Sequence, residues 1–241
     1  MTNLTGEQRS RYVQTMFARI AGRYDLMNRL MTAGQDSRWR RVVVQRAQLP
    51  PDGRLLDVGT GTGDIAREGL RGRPGLLAVG ADFTLEMMRI GRGDPGRLGI
   101  DWTGADTLAL PFPDASFQAV TSGFLMRNVA DVAGAFREQV RVTVPGGWIV
   151  VLESSPPKDN PLRPFIRFHL NTVIPLLGRL VAGDAEAYRY LPESTQGFQD
   201  PESLAKIMLD CGLVDVSYEL FMFGTVAIHS GRKTDELTIN D

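Results

Sequence analysis

The chain has 241 residues, 43% of them hydrophobic and 23% charged, an ordinary globular composition that excludes disordered, collagen-like and mucin-like classes and fits one large α/β domain. With 27 Lys+Arg against 28 Asp+Glu the formal charge is -1, so no basic surplus points to nucleic acid as a partner. The single cysteine, Cys211, excludes an intrachain disulfide and any multi-cysteine metal centre, and no metal is expected. The first residues, MTNLTGEQRSR, lack the apolar core of a secretory signal. The most apolar long segment, Leu162 to Ala182, is broken by Arg163, Arg167, His169, Arg179 and two prolines, too polar to span a bilayer. A cytoplasmic location is expected.

In chain order, residues 12–48 read as a helical cap. Phe17, Ile20, Tyr24, Met27 and Met31 recur at three- and four-residue steps, which suits either a cap packed on the domain or a lid over a ligand. Arg54 to Val58 follows the turn signal Leu49-Pro50-Pro51-Asp52-Gly53 and reads as the first strand, running into Gly59-Thr60-Gly61-Thr62-Gly63-Asp64. A helix from Ile65 to about Arg71 follows, then a strand from Leu76 to Ala81 ending at Asp82, and a helix from Thr84 to Gly91. Ile100 to Thr103, Phe117 to Thr121 and Trp148 to Leu152 are further strands, with a helix at Val132 to Val142 and a turn at Pro145-Gly146-Gly147.

This alternation is the rhythm of a parallel sheet. Beyond it, Ser154 to Pro164 reads as an irregular proline-rich stretch and Asp184 to Pro201 as a polar loop. Residues 154–200 together form an insertion. A helix at Glu202 to Cys211 leads to Val214 to Phe221 and Thr225 to Ser230, separated by Met222-Phe223-Gly224, so an antiparallel hairpin closes the sheet. The tail from Thr234 is polar.

The glycines at 59, 61 and 63 follow a strand and precede a helix, where a bare main chain lets a ligand approach. A dinucleotide turn needs a sixth-position glycine; here it is Asp64, which would repel a pyrophosphate but could accept from a cationic ligand. Asp82, 18 residues later, stands where an open α/β sheet places a carboxylate for ribose hydroxyls, or caps the next helix; Asp106 could accept an adenine amino group. Asp57, Gly59, Gly63, Asp64, Asp82 and Asp106 thus form a series at the carboxyl ends of successive strands, a pattern that describes a class I S-adenosylmethionine-dependent methyltransferase. Such a domain has a Rossmann-like, mostly parallel seven-stranded sheet whose last strand is antiparallel. A Rossmann dehydrogenase is the rival that Asp64 disfavours.

Tyr24-Asp25-Leu26-Met27-Asn28, Ala109-Leu110-Pro111-Phe112-Pro113-Asp114, Arg127-Asn128-Val129, Pro145-Gly146-Gly147, Leu152-Glu153-Ser154-Ser155, Tyr188-Arg189-Tyr190-Leu191 and Val226-Ala227-Ile228-His229 together resemble the UbiE/MenG quinone C-methyltransferases, from about Phe17 to Gly231. The resemblance implies S-adenosyl-L-methionine as cofactor and a prenylated quinol, demethylmenaquinol or a polyprenyl methoxybenzoquinol, as acceptor. It implies cofactor contacts at Thr62, Asp82, Asp106, Thr107 and Gly123. The sequence departs from the family at Gly123, usually serine, at Leu125-Met126 in place of Gly-Leu, at Asp36 in place of histidine, and at Val144 in place of a basic residue. A different phenolic or lipid acceptor is the alternative these departures keep open.

Ring C-methylation needs positioning and loss of a hydroxyl proton. Arg127 and Asn128, after the fourth strand, are the candidates to stabilise a phenolate, Arg127 having an ion-pair role as its alternative. Glu153 is either a base or orienting acceptor, or a buried helix cap. His229 reads as a satisfied core histidine. Residues 161–182 either wall a groove for an isoprenoid tail, with Ile174 and Leu177 against the tail, or touch the membrane from which it emerges, or else form a core helix or homodimer face. Tyr188 and Tyr190 could line the same groove; two apart, they would stand on different sides of a helix, so at most one points in if that stretch is helical.

Overall fold

The computed structural model describes residues 6–95, 99–156 and 163–235. Strands β1 (Arg54–Val58), β2 (Leu77–Asp82), β3 (Ile100–Gly104), β4 (Phe117–Gly123), β5 (Thr143–Ser154), β6 (Leu213–Phe221) and β7 (Val226–Lys233) form one sheet ordered β3-β2-β1-β4-β5-β7-β6. The first five pair in parallel, and β7 runs antiparallel to both β5 and β6, as the terminal hairpin requires. The strand order reverses between β1 and β4. An open sheet leaves a ligand crevice at that place, outside the carboxyl ends of its strands.

Both faces of the sheet are covered, which is why β1 is buried without alternation from Leu55 to Val58. Side chains alternate across a strand. Leu56 joins Val120, Ile149, Phe136 and Met208 in the core beneath α6 (Val132–Val142) and α10 (Pro201–Asp210); its neighbour Leu55 joins Trp39, Val43, Ile65 and Ala66 under α3 (Asp36–Arg46) and α4 (Asp64–Leu70). Strand β5 begins at Thr143, so Pro145-Gly146-Gly147 bends the strand rather than preceding it, and the β4–β5 register shifts there.

A third core lies apart from the sheet. Here α1 (Gly6–Ile20) and α2 (Tyr24–Met31) pack Val13, Met16, Ile20 and Met27 against Ile174, Ala187, Tyr188 and Tyr190. The partners come from α8 (Ile174–Leu177) and α9 (Ala185–Gln196); α8 and the preceding α7 (Arg163–Phe168) alternate with π-helical stretches at His169–Val173 and Gly178–Ala182. This layer is pinned over the carboxyl ends of the strands. Gln14 Nε2 donates to the Phe83 carbonyl (2.7 Å), just ahead of α5 (Leu85–Gly93), Arg9 Nη2 to the Arg127 carbonyl (2.6 Å) and Thr62 Oγ1 to Asp25 Oδ1 (2.7 Å).

Two expectations are corrected here. Asp184 to Pro201 is mostly helix: Asp184 accepts from Ala187 N and caps α9, while Asp200 accepts from Glu202 N and Ser203 N and caps α10. Tyr188 and Tyr190 are both buried on α9 but in the third core, and neither walls the apolar cavity described below; Tyr190 meets Tyr12 edge-on and Tyr188 meets Gly178. The proline-rich stretch falls largely at 157–162, outside the described residues, as does most of the polar tail.

Candidate active site

The turn after β1 builds a small, glycine-lined pocket. Gly59 and Gly63 have φ of +66° and +88°, left-handed values that disfavour a side chain, and a Cβ on Gly63 would lie 2.5 Å from Trp102. The loop is held from behind by Asp82, whose Oδ2 accepts from Gly61 N and Oδ1 from Thr84 N, both at 2.7 Å. Burial pushes the Asp82 carboxyl above its usual range, against the pull of these two backbone donors. Asp57, at the end of β1, is sealed: Thr60 Oγ1 (2.7 Å) and Thr121 Oγ1 (2.9 Å) donate to it. Even so, desolvation lifts its pKa to about 7.

Tyr24, Asn28, Arg40, Asp57, Gly59, Thr62, Asp64, Gly123 and Phe124 surround this pocket. Of the residues expected at a cofactor, five therefore converge on it: Asp57, Gly59, Thr62, Asp64 and Gly123. Gly63 opens α4 beside it. Asp82, Asp106 and Thr107 do not wall it; they stand further along the ends of β2 and β3, where Asp106 Oδ1 accepts from Leu108 N and Thr107 Oγ1 is buried with no partner. Asp64 is not the free acceptor the sequence suggested: Arg40 Nη1 (2.9 Å) and Arg67 Nη2 (3.0 Å) both pair with it.

Beside this pocket lies a much larger apolar cavity of about 470 Å³. Its wall includes Leu30, Met31, Trp39, Ile166, Ile174 and Phe223, with Asp36, Arg127, Ser154, His169 and Thr195 as polar points. Ile174 reaches the cavity as expected, whereas Leu177 packs in the third core. Tyr24, Asn28 and Phe124 wall both spaces. Tyr24 and Asn28 manage this because residues four apart share a helix face; Phe124 manages it by taking φ +56°, with its N–H donating to the Leu152 carbonyl (2.7 Å). Ala33, Met222 and Phe223, also on the cavity wall, have positive φ as well. Such strain costs of order 1–3 kcal/mol per residue and gathers at functional sites.

Arg127 and Glu153 form one buried unit. Arg127 Nη1 donates to Glu153 Oε1 and Arg127 N to Oε2 (3.2 Å), and the guanidinium lies over the Phe124 ring at 5.2 Å. Glu153 sits within β5 and also accepts from Ser154 N (2.8 Å); through Arg127 N it satisfies a first-turn N–H of the short 3-10 helix Met126–Asn128, so it serves that turn as a cap as well. Arg127 Nε is buried without a partner, on a residue that faces the cavity. Asn128 is engaged elsewhere: Nδ2 donates to the Phe124 carbonyl (3.1 Å) and Oδ1 accepts from Tyr190 (3.1 Å). His229 is buried, its Nε2 within 2.8 Å of the Pro201 carbonyl, and burial lowers its pKa.

The sheet order, the glycine turn at its reversal point and the acidic residues ending β1 and β2 define a class I S-adenosylmethionine-dependent methyltransferase. A profile of the ubiE/COQ5 methyltransferase family matches residues 3–233, and the chain belongs to that family of C-methyltransferases. It is 48% identical to "Ubiquinone/menaquinone biosynthesis C-methyltransferase UbiE" of Desulfotalea psychrophila, over 92% of this chain and 90% of that one. It is 46% identical to "Demethylmenaquinone methyltransferase" of Roseiflexus castenholzii (94% and 95% covered) and to the protein of that name from Thermus thermophilus (90% and 100%).

Among solved structures it resembles the [4+2]-cyclase SpnF, with TM-score 0.68 and 18% identity, covering 96% of this chain and 97% of that one. Human N-acetylserotonin methyltransferase in complex with SAM gives 0.62 and 18%, covering 90% and 58%. At these identities only the fold is shared, and a cyclase among the likenesses means that the reaction must be argued from the site.

The N-terminal contributors, Tyr24, Asn28, Asp36 and Arg40, were not singled out as site residues from the sequence. The clue available was the polar residue four positions from an aromatic one in Tyr24-Asp25-Leu26-Met27-Asn28.

Proposed function

We propose that the protein transfers the methyl group of S-adenosylmethionine to a ring carbon of a prenylated quinol, with demethylmenaquinol as acceptor. One observation carries this reading: a glycine-lined polar pocket and an apolar cavity of about 470 Å³ share a wall made by Tyr24, Asn28 and Phe124. Transfer between a polar cofactor and an apolar ring needs two such sites meeting at a single point. The names of the relatives from Roseiflexus and Thermus favour demethylmenaquinol.

The residues fit the cofactor. The glycine turn admits close approach, and the orphaned Thr107 hydroxyl, with Asp82 and Asp106, continues the site along the strand ends for an adenosine group. When bound, the cofactor supplies an electrophilic methyl on a sulfonium. The protein's part is to hold the quinol ring in the apolar cavity and to favour its ionised form. Arg127, fixed by Glu153 and facing the cavity, stabilises the phenolate. Asn128, tied to Tyr190 and the Phe124 carbonyl, holds the turn that carries Arg127. Held beside the wall of Tyr24, Asn28 and Phe124, the sulfonium would supply its methyl to the ring carbon, which would then release its proton to water.

In this reading, residues 12–48 and 154–200 serve as the acceptor-side cover of one methyltransferase domain. The isoprenoid tail leaves past Leu30 and Phe223, 44% and 67% exposed at the cavity wall, toward a membrane that the protein meets peripherally from the cytoplasm. None of the described helices is long and apolar enough to cross one. Deleting the gene tests the proposal: the quinone pool of the deletion strain accumulates the demethyl precursor and recovers when the gene is restored. An unaltered pool overturns it.

A further inference from the structure

Arg40 is placed strangely for a residue whose only task is to brace the fold. It lies on α3 and its side chain is 11% exposed. Its Nη1 alone reaches two carboxylates, Asp36 Oδ2 at 2.7 Å and Asp64 Oδ2 at 2.9 Å. Nη2 and Nε make no hydrogen bond with the described residues, and neither is sealed from solvent as Arg127 Nε is. With Nη1 turned to the two carboxylates, the other edge of the planar fork keeps its donors for a further partner. The fork belongs to the residue that, among the described residues, is the only Lys or Arg in the wall of the glycine pocket.

The partners on either side are already provided for. Asp64 has a second cation in Arg67 (3.0 Å), and Asp36, itself buried, also accepts from Thr32 Oγ1 (3.2 Å). Neither carboxylate therefore depends on the whole guanidinium. Asp36 faces the apolar cavity while Arg40 faces the glycine pocket, so the pair straddles the boundary between the two spaces.

We infer that Arg40 binds the α-carboxylate of the cofactor's amino-acid end through its free Nη2 and Nε, and that Asp36 is a positioning residue that aims the fork. The inference rests on the reading of the glycine pocket as the S-adenosylmethionine site. A planar fork with two donors on one side matches a carboxylate in a way an ammonium does not.

Calorimetry with three ligands tests this. S-adenosylhomocysteine has the carboxylate and ammonium, decarboxylated S-adenosylmethionine keeps only the ammonium, and 5′-methylthioadenosine has neither. Arg40→Ala weakens S-adenosylhomocysteine by about 10- to 100-fold, the scale of a charge-assisted carboxylate bond, and changes the other two by less than about threefold. Arg40→Gln, shorter than arginine but still polar and able to donate, shows the same selectivity and carries the test if the Ala variant does not fold. Arg40→Lys recovers affinity only in part, because the fork is lost. Asp36→Asn weakens S-adenosylhomocysteine while leaving 5′-methylthioadenosine unchanged, a split that mere loosening of the fold does not produce. Equal losses for all three ligands, or none in the Gln variant, overturn the inference. Failure of the wild-type protein to bind any of the three overturns instead the cofactor reading on which it rests.

Discussion

Replacing Asp57 by Asn isolates the energetic consequence of burying a carboxyl under the cofactor turn. Asp57 is 1% exposed, and desolvation raises its pKa from 3.8 to about 7, against hydroxyl donors from Thr60 and Thr121. Because the folded value lies above the unfolded one, the folded protein holds a proton that the unfolded chain has released. The stability this group contributes is therefore present at low pH and lost as pH rises through about 7. Integrating the linkage between these two values gives a loss of roughly 2–3 kcal/mol from pH 5 to pH 8. An asparagine cannot ionise, and the Thr60 hydroxyl can rotate to accept from its amide. The assay is urea unfolding of both proteins without ligand at intervals from pH 5 to pH 8, read as the wild-type free energy minus the variant's. The difference cancels contributions shared by both, such as the lowered pKa of His229. It should fall by about 2–3 kcal/mol across the range. A flat difference would mean that Asp57 stays ionised throughout, and the argument from desolvation would be wrong.

Other expectations follow from the same geometry. Arg127→Ala should lower kcat by two to three powers of ten with little change in S-adenosylhomocysteine affinity, and activity should partly recover at higher pH, where the acceptor ionises unaided; single-turnover rates across pH measure this. Glu153→Gln leaves the Arg127 guanidinium buried without its carboxylate and should cost about 3–5 kcal/mol in unfolding free energy, since breaking a buried pair strands a charge. Gly63→Ala forces a Cβ to within 2.5 Å of Trp102 at φ +88° and should weaken S-adenosylhomocysteine at least tenfold by calorimetry; unchanged binding would mean that the turn has slack. Replacing Leu30 and Phe223 together by Asp should raise KM for a long-tailed quinol far more than for a tail-less analogue, and equal effects on both would refute the tail exit proposed here.

The sheet was legible because its cues are local. Buried parallel strands are short apolar runs, and turns announce themselves through residues such as Pro50, Gly53 and the glycines at 59, 61 and 63. Asp57 and Asp82 were legible for the same reason: a position at a strand end is a statement about neighbours in sequence. What the sequence did not disclose is the placement of one layer upon another. Arg40 reads as one of several basic residues on an amphipathic helix, and nothing near it says that α3 will set it against Asp64 and Asp36. The pairing of Arg127 with Glu153, 26 residues apart on neighbouring strand ends, is equally a product of packing. The 185–196 helix was missed for a different reason. Its polar composition obscured two capping aspartates, Asp184 and Asp200, each followed by a helix.

The central claim is that the glycine pocket and the apolar cavity deliver a methyl group to a quinol carbon across the wall of Tyr24, Asn28 and Phe124. It is tested most directly by incubating the purified protein with S-adenosylmethionine labelled in the methyl group and chemically reduced demethylmenaquinone, then locating the label by mass spectrometry and carbon NMR. The account predicts label in a new ring carbon–methyl group, with S-adenosylhomocysteine formed in equal amount. Label found on oxygen, or no transfer by a protein that binds the cofactor, would contradict it.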